Sequence, residues 1–129
     1  MKIKEFTIII PCITFNDVKY CIEKIRENYK NIKIIVSLNK FKKKTNKNKN
    51  LKIIVSKHEG IGKKRNIAVD GCKTKYIAFI DSDAYPKKNW IESTFKYLKR
   101  KNIGIVAGPH IDPLNQNYFR SEEHTSELQ

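Results

Sequence analysis

The sequence predicts an α/β domain: a mainly parallel, doubly wound sheet with flanking helices, incomplete at its C-terminal end. Three observations predict it. Short apolar runs rich in β-branched residues alternate with stretches of helical periodicity, the pattern of repeated βαβ units. Runs such as Phe6–Ile10 are continuously β-branched after Phe6 rather than alternating with charged or strongly polar residues, as in strands covered on both faces. Several runs end abruptly in Pro, Asn or Asp, the places where open α/β sheets bind ligands. With 129 residues, 40% hydrophobic and 31% charged, the chain has enough apolar surface for one small packed domain and too much for full disorder.

The elements follow in order. Phe6–Ile10 reads as a buried strand ending at Pro11. Asn16 offers an N-cap, with Asp17 in the first turn, and Val18, Cys21, Ile22, Ile25 and Tyr29 recur at helical spacing over residues 17–29. Ile32–Leu38 is a second buried strand and Leu51–Ser56 a short third. Gly60–Asp70 reads as a helix after a glycine turn, with Gly71 as its stop. Tyr76–Ile80 is a fourth strand that runs straight into Asp81-Ser82-Asp83. After Pro86 a helix is expected at about residues 88–101, with Trp90, Ile91, Phe95 and Leu98 inward. Ile103–Ala107 reads as a fifth strand, stopped by Gly108-Pro109, and no internal repeat is visible.

Lys and Arg total 27 against 13 acids, a formal charge of +14. The densest basic run, Lys40–Asn50, has almost no apolar residues and reads as a solvated loop or insert. The chain is rich in Lys, Asn and Ile and poor in Arg, a composition bias that accounts for the charge without a nucleic-acid code. No specific nucleic acid is expected. Attraction to an anionic membrane surface or a phosphorylated substrate suits such lysines better. The alternative function is a basic module that binds nucleic acid or anionic membrane through this loop. Three cysteines, an odd number without C-x-x-C spacing, argue against a disulfide framework or zinc knuckle and for a reducing compartment. The expectation is a cytoplasmic protein, with the cytoplasmic membrane surface as a peripheral site. No window approaches the roughly 18 apolar residues of a membrane span, and Met1–Glu5 lacks the features of a signal peptide. The last ten residues, Arg120–Gln129, hold three acids and no Lys. They resemble the translation of a sequencing adapter, so residues 1–119 are expected to be a partial domain and 120–129 a non-native tail.

The candidate chemistry sits at strand ends. Asp81 and Asp83, one residue apart, follow five apolar residues. If buried they would repel each other and lose hydration, and a hard divalent cation would compensate. Mg²⁺ binds oxygen, uses one or two carboxylates and completes its shell with substrate phosphates. D-x-D at a strand end therefore suits a metal–diphosphate site; an Asx-turn or helix cap is the structural alternative. The second feature, Glu59-Gly60-Ile61-Gly62-Lys63-Lys64-Arg65-Asn66, pairs two permissive glycines with Lys64 and Arg65 on the first helical turn, where anions gather. It is neither a P-loop nor a dinucleotide fingerprint. Taken alone, a glycine turn before a basic surface helix explains it equally well. His58 and His110 read as polar turn histidines, and Cys12, Cys21 and Cys72 as small core residues. Trp90 reads as packing its helix onto the sheet.

Together the segments resemble the family 2 glycosyltransferases, which have the Rossmann-like GT-A fold. The resemblance rests on Thr7–Pro11, Ile34–Val36, Gly60–Asn66, Tyr76–Pro86 with Trp90, and Val106–Pro109. It implies an enzyme that moves a sugar from a nucleotide-diphosphate donor to an acceptor hydroxyl on a glycan, lipid or other molecule, usually with inversion. It implies Mg²⁺ or Mn²⁺ as cofactor, Asp83 as the main metal ligand and Asp81 as second ligand or donor contact. Arg65 matches the family's basic position, and Pro11, Asn39, Lys64 and Ser82 complete the expected donor-binding set. Asn39 stands where the family usually has a base-recognising Asp, which weakens the inference of a uridine donor. The family's catalytic base lies beyond the D-x-D half, so no catalytic residue is assigned; Asp112 is available, but nothing places it there. A nucleotidyltransferase on a related fold shares the metal logic.

Overall fold

The structure is a computed structural model that describes residues 3–42, 49–57 and 60–111. The core of the basic run (43–48), His58, Glu59, Asp112 and the segment 120–129 lie outside the described residues.

After a short 3-10 turn at Ile3–Glu5 come β1 (Phe6–Pro11), α1 (Phe15–Asn28), β2 (Lys33–Leu38), β3 (Leu51–Val55), α2 (Ile61–Asp70), β4 (Tyr76–Phe79) and α3 (Trp90–Leu98). The four strands form one sheet in the order β3-β2-β1-β4, and every pairing is parallel. β1 is central in hydrogen bonding: Ile9 faces Ile35 of β2 on one side and Phe79 of β4 on the other. That position explains why all six β1 residues are buried, as the unbroken apolar run foretold.

The connections place the helices. β1 to β2 steps one way across the sheet and β3 to β4 steps back the other way. Both are right-handed crossovers by the usual chirality rule, so α1 and α2 cover opposite faces. Ala68 of α2 packs with Ile9 and Ile35, joined by Ile54, Val69, Cys72 and Ile77. Successive strand residues point to opposite faces, so Ile8, Ile10, Ile34 and Val36 form the α1 side, where Val18, Cys21 and Ile25 are buried. The reversal between β1 and β4 is a topological switch point, and the crevice there opens at the carboxyl ends of the strands.

The other end is closed by side chains. Phe6 stacks on Tyr76 at 4.8 Å between ring centroids, and Phe95 meets both edge-on at 6.0 and 5.6 Å. Tyr29 accepts a hydrogen bond from the Ile91 N–H at 3.1 Å and donates one to Glu92 at 3.2 Å. Burial pushes its phenol up to about 12, which keeps it a donor at any ordinary pH.

Several expectations need correction. α1 begins two residues earlier than the Asn16 cap predicts. Thr14 is the N-cap, and its N–H is held by the Asp17 carboxylate at 3.0 Å. α3 starts later than expected, at Trp90, because Asn89 takes a left-handed conformation (φ 65°), which an Asn tolerates better than most residues, and it ends at Leu98, short of residue 101. Of its four expected inward residues only Ile91 is fully buried; Trp90, Phe95 and Leu98 are half-buried. Ile103–Ala107 is not a strand: it has no ladder partner among the described residues, and Ile105 is 88% exposed. A five-residue apolar run broken by Gly104 becomes a strand only where a neighbour supplies the ladder. The chain divides into two units, Met1–Phe95 and Lys96–Gln129; everything described below lies in the first.

Candidate functional site

A cavity of about 540 Å³ opens at the switch point, lined by Pro11, Cys12, Ile13, Asp17, Asn39, Gly60, Ile61, Lys64 and Ser82. Each wall comes from a chain segment just past a strand end or at the start of a helix. Pro11 ends β1, and the Cys12 N–H continues the ladder to the Ser37 carbonyl at 2.9 Å. Asn39 follows β2 and donates its N–H to the Ile13 carbonyl at 3.1 Å, which joins two of the walls. Ser82 follows β4, where the Ile80 N–H still bonds the Ile9 carbonyl at 3.2 Å. Gly60 is the N-cap of α2, and Asp17 sits in the first turn of α1.

Four of the expected donor-binding residues, Pro11, Asn39, Lys64 and Ser82, thus share one cavity. The side-chain Oδ1 of Asn39 is buried with no hydrogen-bond partner among the described residues. Lys64 is 3% exposed, the one buried cationic residue among those described. Arg65 and Asp81 are not in the cavity wall but are bound to each other, Arg65 Nη2 donating to Asp81 Oδ1 at 2.9 Å. The guanidinium also lies over the Phe79 ring, 5.9 Å from its centroid. α2 and the end of β4 are thereby clamped at the cavity edge. Asp83 is exposed and lines no part of the cavity.

The premise that the two aspartates are buried is therefore corrected. β4 ends at Phe79, so both lie beyond the sheet, and the Asp81 side chain is 60% exposed. They still fit a divalent cation in one specific way. No three His, Cys, Asp or Glu gather among the described residues, so there is no self-sufficient metal cage. Two carboxylates, one of them also engaged by Arg65, suit a cation that takes the rest of its shell from phosphates and water.

Reading by strand ends reached Pro11 and Cys12 but took Cys12 for a small core residue and Asp17 only for a first-turn residue of α1, and it did not reach Ile13 or Ile61. Ile13 and Ile61 are 59% and 58% exposed, large apolar side chains flanking a cavity mouth. The Cys12 thiol is pushed up to about 11, chiefly by burial, then by Asp17, with Lys64 pulling it down. Cys21 rises to about 12, again mainly through burial, with Asp83, Cys12 and Asp81 adding to it. For Cys72, partial burial raises the pKa, but hydrogen bonds from Thr7 and Thr74 outweigh it and the net shift is downward. The thiolate is the reactive form. Limited iodoacetamide labelling at pH 8 is therefore expected to modify Cys72 first, with Cys12 and Cys21 labelled only after unfolding. Peptide mapping that finds Cys12 labelled as fast as Cys72 would contradict this.

Known proteins place the chain. One is an uncharacterized glycosyltransferase of Rickettsia conorii, 28% identical over 110 residues, 77% of this chain and 18% of the relative. Over 43 residues the chain is 35% identical to a pre-mycofactocin glycosyltransferase of Mycobacterium tuberculosis, covering 33% of this chain and 9% of that one. Among solved structures, S. aureus TarS 1–349 in complex with UDP-GlcNAc superposes with a TM-score of 0.58 at 18% identity, over 79% of this chain and 37% of that one. TarS 1–349 crystallised separately gives 0.56 at 21% identity, over 72% and 32%. The expected fold class, a Rossmann-like GT-A sheet with flanking helices, is the one found. The chain spans about a fifth of the Rickettsia relative. The sequence profile of glycosyl transferase family 2 matches residues 7–127, and the chain belongs to that family.

Proposed function

We propose that this segment is the donor-binding half of an inverting glycosyltransferase that moves a sugar from a nucleoside diphosphate to an acceptor hydroxyl. The observation that carries the reading is the cavity at the topological switch point, which collects Pro11, Asn39, Lys64 and Ser82 in a member of this family. TarS, similar in fold, was crystallised with UDP-GlcNAc. The apolar residues Pro11, Ile13 and Ile61 suit the face of a base, and the orphaned Oδ1 of Asn39 offers an acceptor to an N–H on its edge.

Asp83 and the free oxygen of Asp81 would hold Mg²⁺ or Mn²⁺ jointly with the donor's diphosphate. When bound, the cation offsets the negative charge that builds up on the departing diphosphate. The chain's own residues do the positioning. Arg65 fixes Asp81 at 2.9 Å, and the Ile13–Asn39 bond holds the two apolar-side walls in register. No residue is assigned as the base that activates the acceptor. No helix among the described residues is long and apolar enough to cross a membrane.

Titration calorimetry with UDP tests this directly. Mn²⁺ is expected to tighten UDP binding by about tenfold or more, the effect of one or two charge-assisted contacts. Asp83→Ala is expected to remove that gain. An Asp83→Ala protein that keeps the full Mn²⁺ effect would rule out the metal assignment. The basic-module alternative predicts instead salt-sensitive binding that survives Asp83→Ala and disappears when residues 40–50 are deleted.

A further inference from the structure

A buried lysine is costly unless something in its site wants a positive charge. Lys64 is 3% exposed and lines the cavity. It forms no ion pair among the described residues; the pairs there are Lys24–Glu27 and Arg65–Asp81. Its charge lowers the pKa of the Cys12 thiol, which lines the same cavity. The one acid in the wall, Asp17, is already engaged by the Thr14 N–H.

The start of α2 points the same way. Its N-cap is Gly60, so no side chain caps the first turn, and that turn holds no acidic residue. The first intrahelical bond is from the Lys64 N–H to the Gly60 carbonyl at 3.0 Å, so the N–H groups of Ile61 and Gly62 have no intrahelical acceptor. A Cβ built on Gly60 or Gly62 would meet nothing within 4 Å. The turn therefore has open space beside both glycines. The uncapped N–H of Ile61 and the ammonium of buried Lys64, both from residues that line the cavity, make a site for an anion.

We propose that Lys64 is the anion anchor of this cavity, holding the diphosphate of a nucleoside diphosphate together with the first turn of α2 and without help from a divalent cation. The inference rests on the donor-pocket reading and deepens it. Binding is built from two separable parts: a fixed charge inside the cavity at Lys64, and a cation outside it at Asp83 that adds to the first. The fixed part discriminates by phosphate, since uridine lacks the groups that Lys64 would hold.

The test uses the full 129-residue chain in EDTA, titrated calorimetrically with UDP and with uridine. Wild-type protein is expected to bind UDP at least about tenfold more tightly than uridine, as one buried charge-assisted contact implies. Lys64→Met, which keeps the aliphatic stem, is expected to lose that preference while still binding uridine. Lys63→Met, on the adjacent exposed position, is expected to keep it. Circular dichroism checks that each variant is folded, and the wild-type comparison needs no variant at all. The proposal is overturned if wild-type protein binds UDP and uridine equally in EDTA, if UDP binds only once Mn²⁺ is added, or if Lys64→Met retains the preference. Binding seen only with Mn²⁺ sinks the anchor and leaves the donor pocket standing. Absence of UDP and uridine binding with and without Mn²⁺ sinks both.

Discussion

Ile9→Ala is expected to destabilise the protein by about 3 kcal/mol, within the range for truncating a fully buried Ile. Ile9 is 0% exposed and is the point where the sheet meets α2: it packs with Ile35 and Ala68, with Ile54, Val69, Cys72 and Ile77 around them. The cost of such a cavity depends on how far the surroundings can relax. Here they relax little, because β1 is hydrogen-bonded on both sides and cannot shift toward the gap without breaking a ladder. The same truncation at Ile54, half-buried on the edge strand β3, is expected to cost roughly half as much. Urea unfolding with an unchanged m value is the measurement. A loss below about 1 kcal/mol at Ile9 would mean that α2 is not seated as described. The site follows the core, because α2 carries Ala68 on one turn and Lys64 on the turn before it. Loosening the Ile9 contact is therefore expected to weaken UDP binding as well, although Ile9 is not part of the cavity wall.

The same dependence explains what could be read in the sequence. β1 and β2 were legible because a central parallel strand is buried on both faces, and Phe6–Ile10 and Ile34–Val36 show that as unbroken apolar runs. The cavity was half legible. The rule that ligands bind past strand ends leads to Pro11, Asn39 and Ser82 from the sequence alone. Other features depend on three-dimensional partners. Thr14 and Asn16 are both good N-caps, and only Asp17 three residues after Thr14 marks the true start. Ile103–Ala107 has the composition of a strand, but a strand is made by its neighbour. Asp81 and Asp83 follow apolar residues and so look buried, yet β4 stops at Phe79 and they emerge into solvent. Lys64 was marked in the sequence by its place on the first helical turn after two glycines, but its burial was not legible there. It follows from its place four residues before Ala68, on the face of α2 that docks on the sheet.

Arg26→Met is expected to cost about 3 kcal/mol, as much as a core truncation, although Arg26 is only partly buried. Its guanidinium serves three carbonyls. Nη1 donates to Tyr29 at 3.1 Å and to Ile32 at 2.7 Å, and Nη2 donates to Asn50 at 3.1 Å. These are the end of α1, the residue before β2 and the residue before β3. One planar group thus joins the helix terminus to the entries of two parallel strands, at a point where the carbonyls past the helix end lack intrahelical donors. Burial lowers its pKa, but a guanidinium stays charged under any folding condition, so the loss in Arg26→Met should be the same at pH 5 and pH 9. Met preserves the aliphatic stem, so the loss reports the hydrogen bonds rather than packing. Arg26→Lys separates charge from shape. An ammonium keeps the positive charge near the α1 terminus but lacks the planar fork needed to reach three acceptors in two directions. It is therefore expected to recover less than half of the lost stability. Full recovery in Arg26→Lys, read by urea unfolding at low and high salt, would show that the helix-end charge and not the three-carbonyl geometry is what this residue contributes.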